Sequence, residues 1–172
     1  MIANLTLIGF MGTGKTSVGR VCAEQAGWSF IDCDAELERR LNRIIKDIFR
    51  EHGEGYFRSA EAETLDQILK NSHQVISTGG GIVTYEPSRR MLLESKGKGN
   101  KIIWLKAAPE VIYERTACSQ DRPLLNVADP LAEIRRLLMQ RHMFYEQLAD
   151  ACIDTTALSI EQTADAVLRL IE

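Results

Sequence analysis

No stretch of this chain approaches the roughly 18 apolar residues that a membrane span needs, so a membrane is not an expected partner. The apolar opening, Met1 to Phe10, is short and follows no basic segment. It is not read as a signal peptide, and the cytosol is the expected compartment. Cysteine is sparse: Cys22, Cys33, Cys118 and Cys152, with no C-x-x-C pair. Three of the four sit in apolar helix or strand patterns, so reduced, buried thiols are expected. Cys118 lies among polar or small residues and is the one thiol whose reactivity merits a test. The histidines, His52, His73 and His142, show no metal-ligand spacing with each other or with the cysteines, which removes a zinc site from consideration. Basic charge is not in excess: the net charge is -3, which argues against nucleic acid as the main partner. Repeats, low-complexity tracts and long linkers are all missing.

What is present is an ordinary globular composition, 45% hydrophobic and 26% charged, over 172 residues. That length suits one domain, 1–172, with a real core. Strands are expected at Leu5–Ile8, Ser29–Cys33, Val75–Ser77, Ile102–Leu105 and Cys152–Ile153. Helices are expected at Lys15–Ala26, Ala35 to about Glu51, Gly55–Asn71, Pro87–Ser95, Pro109–Thr116, Pro130–Ala149 and Ile160–Leu170. Pro87, Pro109 and Pro130 stand where a helix would start, and Ser159 with Gln162 has the spacing of a capping box. Strands alternating with helices imply crossovers and a parallel sheet covered on both faces. Ligands of such sheets bind beyond the carboxyl ends of the strands. Four of those five places carry unusual residues.

After the first strand comes Gly9-Phe10-Met11-Gly12-Thr13-Gly14-Lys15-Thr16, a full match to G-x-x-x-x-G-K-[ST]. Its glycines let main-chain N–H groups turn toward phosphate oxygens, and the next helix offers its positive end. Gly12, Thr13, Gly14, Lys15, Thr16 and Ser17 are therefore expected to hold ATP. Lys15 would reach the β- and γ-phosphates, and Thr16 would serve Mg²⁺. A guanine-reading N-K-x-D motif is missing, which lowers the reading of a GTPase.

Asp32 and Asp34 stand two apart at the end of the second strand, so both are expected to face the crevice with Cys33 turned away. One carboxylate suits Mg²⁺, the other the proton of an attacking hydroxyl; the competing reading makes Asp34 only a helix cap. Arg58 and Glu61 are helix neighbours, either a surface ion pair or an oriented guanidinium. The row Ile134, Leu138, Arg141, Tyr145, Leu148 is apolar except at Arg141. A buried arginine needs an anion, either an internal Asp or Glu or the carboxylate of a substrate, which arginine grips bidentately. Gly79-Gly80-Gly81 reads as a loop approached closely by ligand, or as a plain mobile loop. Arg122, in a segment expected to form a lid, would stabilise charge on the transferring phosphoryl group. Arg115 would stack on adenine. Each of these two arginines has a solvated surface position as its alternative.

Together these pieces resemble the shikimate kinase family. The likeness rests on Leu7 through Thr16, Asp32-Cys33-Asp34, Gly53-Glu54-Gly55-Tyr56-Phe57-Arg58 with Glu61, Gly79-Gly80-Gly81, Arg122-Pro123-Leu124-Leu125, and Arg141 with Tyr145. The resemblance implies an α/β P-loop fold like that of nucleoside-monophosphate kinases. It has a five-stranded parallel sheet, a substrate-binding helical region at about 34–61 and a mobile lid at about 113–127. It implies transfer of the γ-phosphoryl group of MgATP to the 3-hydroxyl of shikimate, in aromatic amino-acid biosynthesis. By family pattern Thr16 and Asp32 serve Mg²⁺. Asp34, Arg58, Gly80 and Arg141 hold shikimate, with Asp34 as base, and Arg122 is the lid arginine on ATP; Gly79 and Gly81 are counted with the substrate-binding residues from the loop reading above. A monomer is expected. Two departures stand out: Asn42 replaces a glycine common in the family, and the loop Thr155 to Leu158 offers adenine no charged side chain. The rival readings are a kinase of another hydroxy acid such as gluconate, and a non-catalytic P-loop regulator.

Overall fold

The computed structural model describes residues 2–117 and 127–171. Arg122, Cys118 and most of the expected lid lie outside the described residues. The central strand, β1 (Asn4–Ile8), is buried along its whole length, as a strand covered on both faces must be. Around it the sheet runs β2 (Ser29–Asp32), β3 (Gln74–Ser77), β1, β4 (Asn100–Lys106), β5 (Ala151–Asp154), and every neighbouring pair is parallel. The expected five-stranded parallel sheet is therefore present.

Side-chain alternation divides the core between the two faces. Leu5 and Leu7 of β1, with Ile103 and Leu105 of β4, pack on Val18 and Cys22 of α1 (Lys15–Ala26) and on Ala164 and Val167 of α7 (Ile160–Leu168). Ile8, Ile102 and Trp104 point the other way. They meet Leu65 of α3 (Ile45–Ile68), Leu92 of α4 (Glu86–Lys96), and Tyr145 and Leu148 of α6 (Pro130–Leu148). Each fully buried Leu or Ile contributes about 1.5–3 kcal/mol by leaving water. A short helix, α5 (Pro109–Thr116), follows β4.

The segment after β2 departs from expectation. The strand ends at Asp32, not Cys33, and α2 (Cys33–Leu41) begins at once. The helix expected from Ala35 to about Glu51 is broken: α2 stops at Leu41, and Asn42 takes the left-handed conformation (φ 50°), its N–H returning to the Glu38 carbonyl. Asparagine tolerates that conformation better than most residues, so it stands in for a glycine there. The Glu38 carboxylate then accepts from the Ile45 N–H at 2.8 Å and opens α3. The expected gap between Glu51 and Gly55 survives only as a kink in α3 at Gly53 (φ 77°, ψ 178°). The cysteine expectation is corrected at one position: Cys22 and Cys33 are free and buried, but Cys152 on the edge strand β5 is exposed.

Candidate active site

Phosphate-loop geometry follows from its glycines. Gly12 (φ 75°) and Gly14 (φ 92°) hold positive φ angles, which side-chain-bearing residues rarely adopt. Gly14 precedes α1 without a side-chain cap, so the first N–H groups of that helix are not taken by a capping oxygen and remain for an anion. Lys15, buried, donates from Nζ to the Gly9 and Phe10 carbonyls at 2.8 Å each. The Thr13 hydroxyl donates to the Phe10 carbonyl.

Across the cavity mouth the Thr16 hydroxyl donates to Asp32 Oδ2 at 2.9 Å and lies 3.3 Å from the Ser77 hydroxyl. This all-oxygen set suits a hard cation such as Mg²⁺, which takes one or two protein oxygens and otherwise water and phosphate. Among the described residues no group of three or more His, Cys, Asp or Glu is arranged to hold a metal alone. Ser77 is a member of this set that sequence reasoning gave no role; its position at the carboxyl end of β3 was the available signal.

The structure brings Asp32 and Asp34 to one cavity of about 300 Å³, with Gly12, Gly14, Lys15, Thr16, Ser17, Gly79 and Gly80 on its walls. The cause differs from the alternation expected. Asp32 is the N-cap of α2, its Oδ1 accepting from the Asp34 and Ala35 N–H groups, and Asp34 enters the cavity from the first helical turn. The capping residue is thus Asp32, and Asp34 is left for other work. Its Oδ1 is buried with no hydrogen-bond partner among the described residues. Burial, then the charge of Asp32, holds the Asp34 carboxyl above its usual range, against the pull of Lys15 and Arg58.

Arg58 is buried and donates to Glu61 at 2.7 Å and to Glu54 at 3.3 Å. The surface-pair reading of Arg58 and Glu61 is excluded by this burial. Glu61 Oε1 is a second buried oxygen with no hydrogen-bond partner among the described residues. The triple glycine is packed between these groups. A Cβ at Gly79 would come 2.6 Å from Glu61 Oε1 and 3.0 Å from Asp34 Oδ1, and one at Gly81 would collide with the Arg58 guanidinium. Arg141, also buried, donates to the Gly80 carbonyl at 3.2 Å and lies over the Phe10 ring at 5.3 Å. Among the described residues no carboxylate lies within ion-pair distance of Arg141, so the internal Asp or Glu partner is not found. Arg58 and Arg141 stand behind the cavity wall, against Gly81 and Gly80.

Arg115 sits on the other side of β1. Its guanidinium bridges the Gly12 carbonyl, the Thr155 hydroxyl and the Thr155 carbonyl, at 3.3, 3.2 and 2.9 Å. Sequence reasoning placed it on adenine and gave no hint of this main-chain clamp. A larger recess of about 460 Å³ opens at the amino ends of the strands, bordered by Asn4, Asn71 and Asn100. The Asn4 and Asn100 amides there are spent on hydrogen bonds within the fold, and it gathers no comparable chemistry.

Glu61 gives a measurable pH signature. Burial, reinforced by Asp34, raises its pKa to about 7 despite the opposing Arg58 and Arg141. The folded protein therefore keeps this proton up to about pH 7, whereas the unfolded chain releases it near 4.5. Between those values the native state holds more protons, so stability falls as pH rises. Glu61→Gln is expected to flatten that decline, and chemical denaturation of both proteins at pH 5 and pH 8 checks it. Parallel pH dependences would refute the assignment.

The shikimate kinase family profile matches residues 11–172. A curated shikimate kinase of Caldanaerobacter subterraneus is 43% identical over 96% of this chain and 94% of its own length. One of Thermodesulfovibrio yellowstonii is 41% identical over 98% of this chain and 95% of its own. Among solved structures, shikimate kinase from Acinetobacter baumannii in complex with shikimate superposes with a TM-score of 0.92 at 35% identity, covering 99% of this chain and 93% of that one.

Proposed function

The chain belongs to the shikimate kinase family, and we propose that its cleft works with Asp34 as general base and with Arg58 and Arg141 on the acceptor's carboxylate. The protein is an ATP-dependent kinase that phosphorylates shikimate. The observation that carries the residue assignment is that Asp34 lines the same cavity as Lys15 and Thr16 and that its buried Oδ1 has no hydrogen-bond partner among the described residues.

The acceptor's 3-hydroxyl gives its proton to Asp34 as its oxygen attacks the γ-phosphorus of ATP; the new P–O bond forms as the bond to the β-phosphate oxygen breaks. A carboxyl held above its usual range is a stronger base than an ordinary aspartate. The phosphate-loop N–H groups and Lys15 hold the β- and γ-phosphates in line, where positioning and charge stabilisation supply most of the catalysis. Thr16 and Asp32 would hold Mg²⁺, which when bound neutralises charge on the phosphates. Arg122 is proposed for the transferring group and lies outside the described residues. Arg115, from its place beside Thr155, is proposed for the adenine side. We read the protein as a cytosolic monomer with neither nucleic acid nor membrane as partner. The net charge of -3 is unfavourable to a polyanionic partner, and no described helix is long and apolar enough to cross a membrane.

A coupled assay with ATP and a panel of hydroxy acids tests acceptor and mechanism together. Shikimate is expected to turn over, with its phosphate ester identified by mass. Turnover of gluconate but not shikimate would overturn the reading, and rapid ATP hydrolysis without acid would point to an ATPase.

A further inference from the structure

We propose that Tyr145 is a positioning residue for the acceptor: its hydroxyl holds the Gly80 carbonyl so that Arg141 can leave that carbonyl for the substrate's carboxylate. The proposal rests on the reading of Arg141 as the carboxylate's partner.

Arg141 and Tyr145 lie one helical turn apart on the buried face of α6 and donate to the same oxygen. Tyr145 Oη reaches the Gly80 carbonyl at 2.6 Å, Arg141 Nη1 at 3.2 Å. A carbonyl oxygen has two lone pairs and accommodates both donors. The shorter contact is the tyrosine's. Its ring is fixed, 1% exposed and stacked on Trp104 at 5.5 Å with an interplanar angle of 19°. Burial pushes the phenol up to about 12, so it remains a donor at any working pH.

Gly80 itself has little room to shift. A Cβ there would come 3.0 Å from the Met11 nitrogen and 3.4 Å from the Gly9 carbonyl oxygen, so this peptide forms part of the wall between acceptor and phosphate loop. Gly80 is half-buried, and a carbonyl there that loses its last donor incurs part of its desolvation cost. With Tyr145 present, Arg141 can turn to an incoming carboxylate and Gly80 keeps a donor. Without the hydroxyl, Gly80 and the substrate compete for one guanidinium. The cost then falls on acceptor binding and not on the nucleotide, whose P-loop cradle Tyr145 does not touch.

Tyr145→Phe keeps the ring and its stack while removing the donor. It is expected to raise the KM for shikimate about fivefold to tenfold, with kcat and the KM for ATP within about twofold. In an Arg141→Ala background the same change is expected to leave the shikimate KM unaltered, because no guanidinium remains to compete. Equal losses in the two backgrounds, parallel rises in both substrates' KM, or no rise at all would each overturn the proposal. Arg141→Ala alone reports on the premise: an unchanged shikimate KM there would sink the carboxylate assignment and this inference with it. Should Tyr145→Phe fail to fold, the unaltered enzyme labelled with carbonyl-¹³C glycine carries the test. Saturating shikimate must then move the Gly80 carbonyl resonance, and a stationary resonance would refute the exchange of partners.

Discussion

Asp34→Asn is expected to lower kcat about 10²-fold or more, the usual cost of losing a general base, while ATP binding survives. The substitution is nearly isosteric, so the first turn of α2 and its Asp32 cap are kept. What is lost is the basic oxygen. Among the described residues Asp34 Oδ1 has no hydrogen-bond partner, so its lone pairs are not committed to the fold. Its raised pKa, caused by burial and by Asp32, also predicts where activity fails on the acid side. The limb of the kcat/KM profile should lie above the ordinary carboxylate range and vanish in Asp34→Asn. Steady-state kinetics and a nucleotide-binding titration provide the check. A kcat within about threefold of the parent would remove Asp34 from the chemistry.

Arg141→Ala should produce the second large effect, and a different one. A charge-assisted hydrogen bond contributes about 1.5–3 kcal/mol, so the KM for shikimate is expected to rise about 10- to 100-fold. The change in kcat should be much smaller, since ground-state binding is what is removed. Two terms oppose each other in stability. The variant loses packing against Phe10, which costs. It also relieves the fold of a buried guanidinium that has no carboxylate within ion-pair distance among the described residues, which helps. Gly80 keeps its tyrosine donor. Thermal unfolding is therefore expected to move little, and a large fall in Tm with an unchanged KM would make Arg141 structural.

The phosphate loop was legible in the sequence because all its determinants are local: glycines for positive φ, then Lys15 and Thr16 at fixed offsets. The parallel sheet was legible from the alternation of elements. Arg141 could be found because a single charge interrupts an apolar stripe. Its resting partner could not, since the Gly80 carbonyl is 61 residues away in sequence and a main-chain acceptor leaves no trace in side-chain identity. Strand alternation puts Asp34 toward the crevice, but it is the start of α2 that carries it onto the cavity wall. The break at Asn42 was missed because helical periodicity continues across it, and only one left-handed residue divides α2 from α3. The triple glycine was read as space for ligand. Much of that space is already taken by Glu61, Asp34 and Arg58.

The sheet order has a spatial corollary. Strand β1, with the phosphate loop at its tip, occupies the middle. The proposed acceptor groups Asp34, Arg58 and Arg141 come from α2, α3 and α6 and gather at Gly79, Gly80 and Gly81 after β3, whereas Arg115 and Thr155 follow β4 and β5. On the proposed assignment the acceptor and the nucleotide meet over the central strand, each held by groups on a different flank of the phosphate loop. A single inhibitor joining the two flanks would have to cross the phosphate loop and be anionic there and, on the proposed assignment, at its acceptor end.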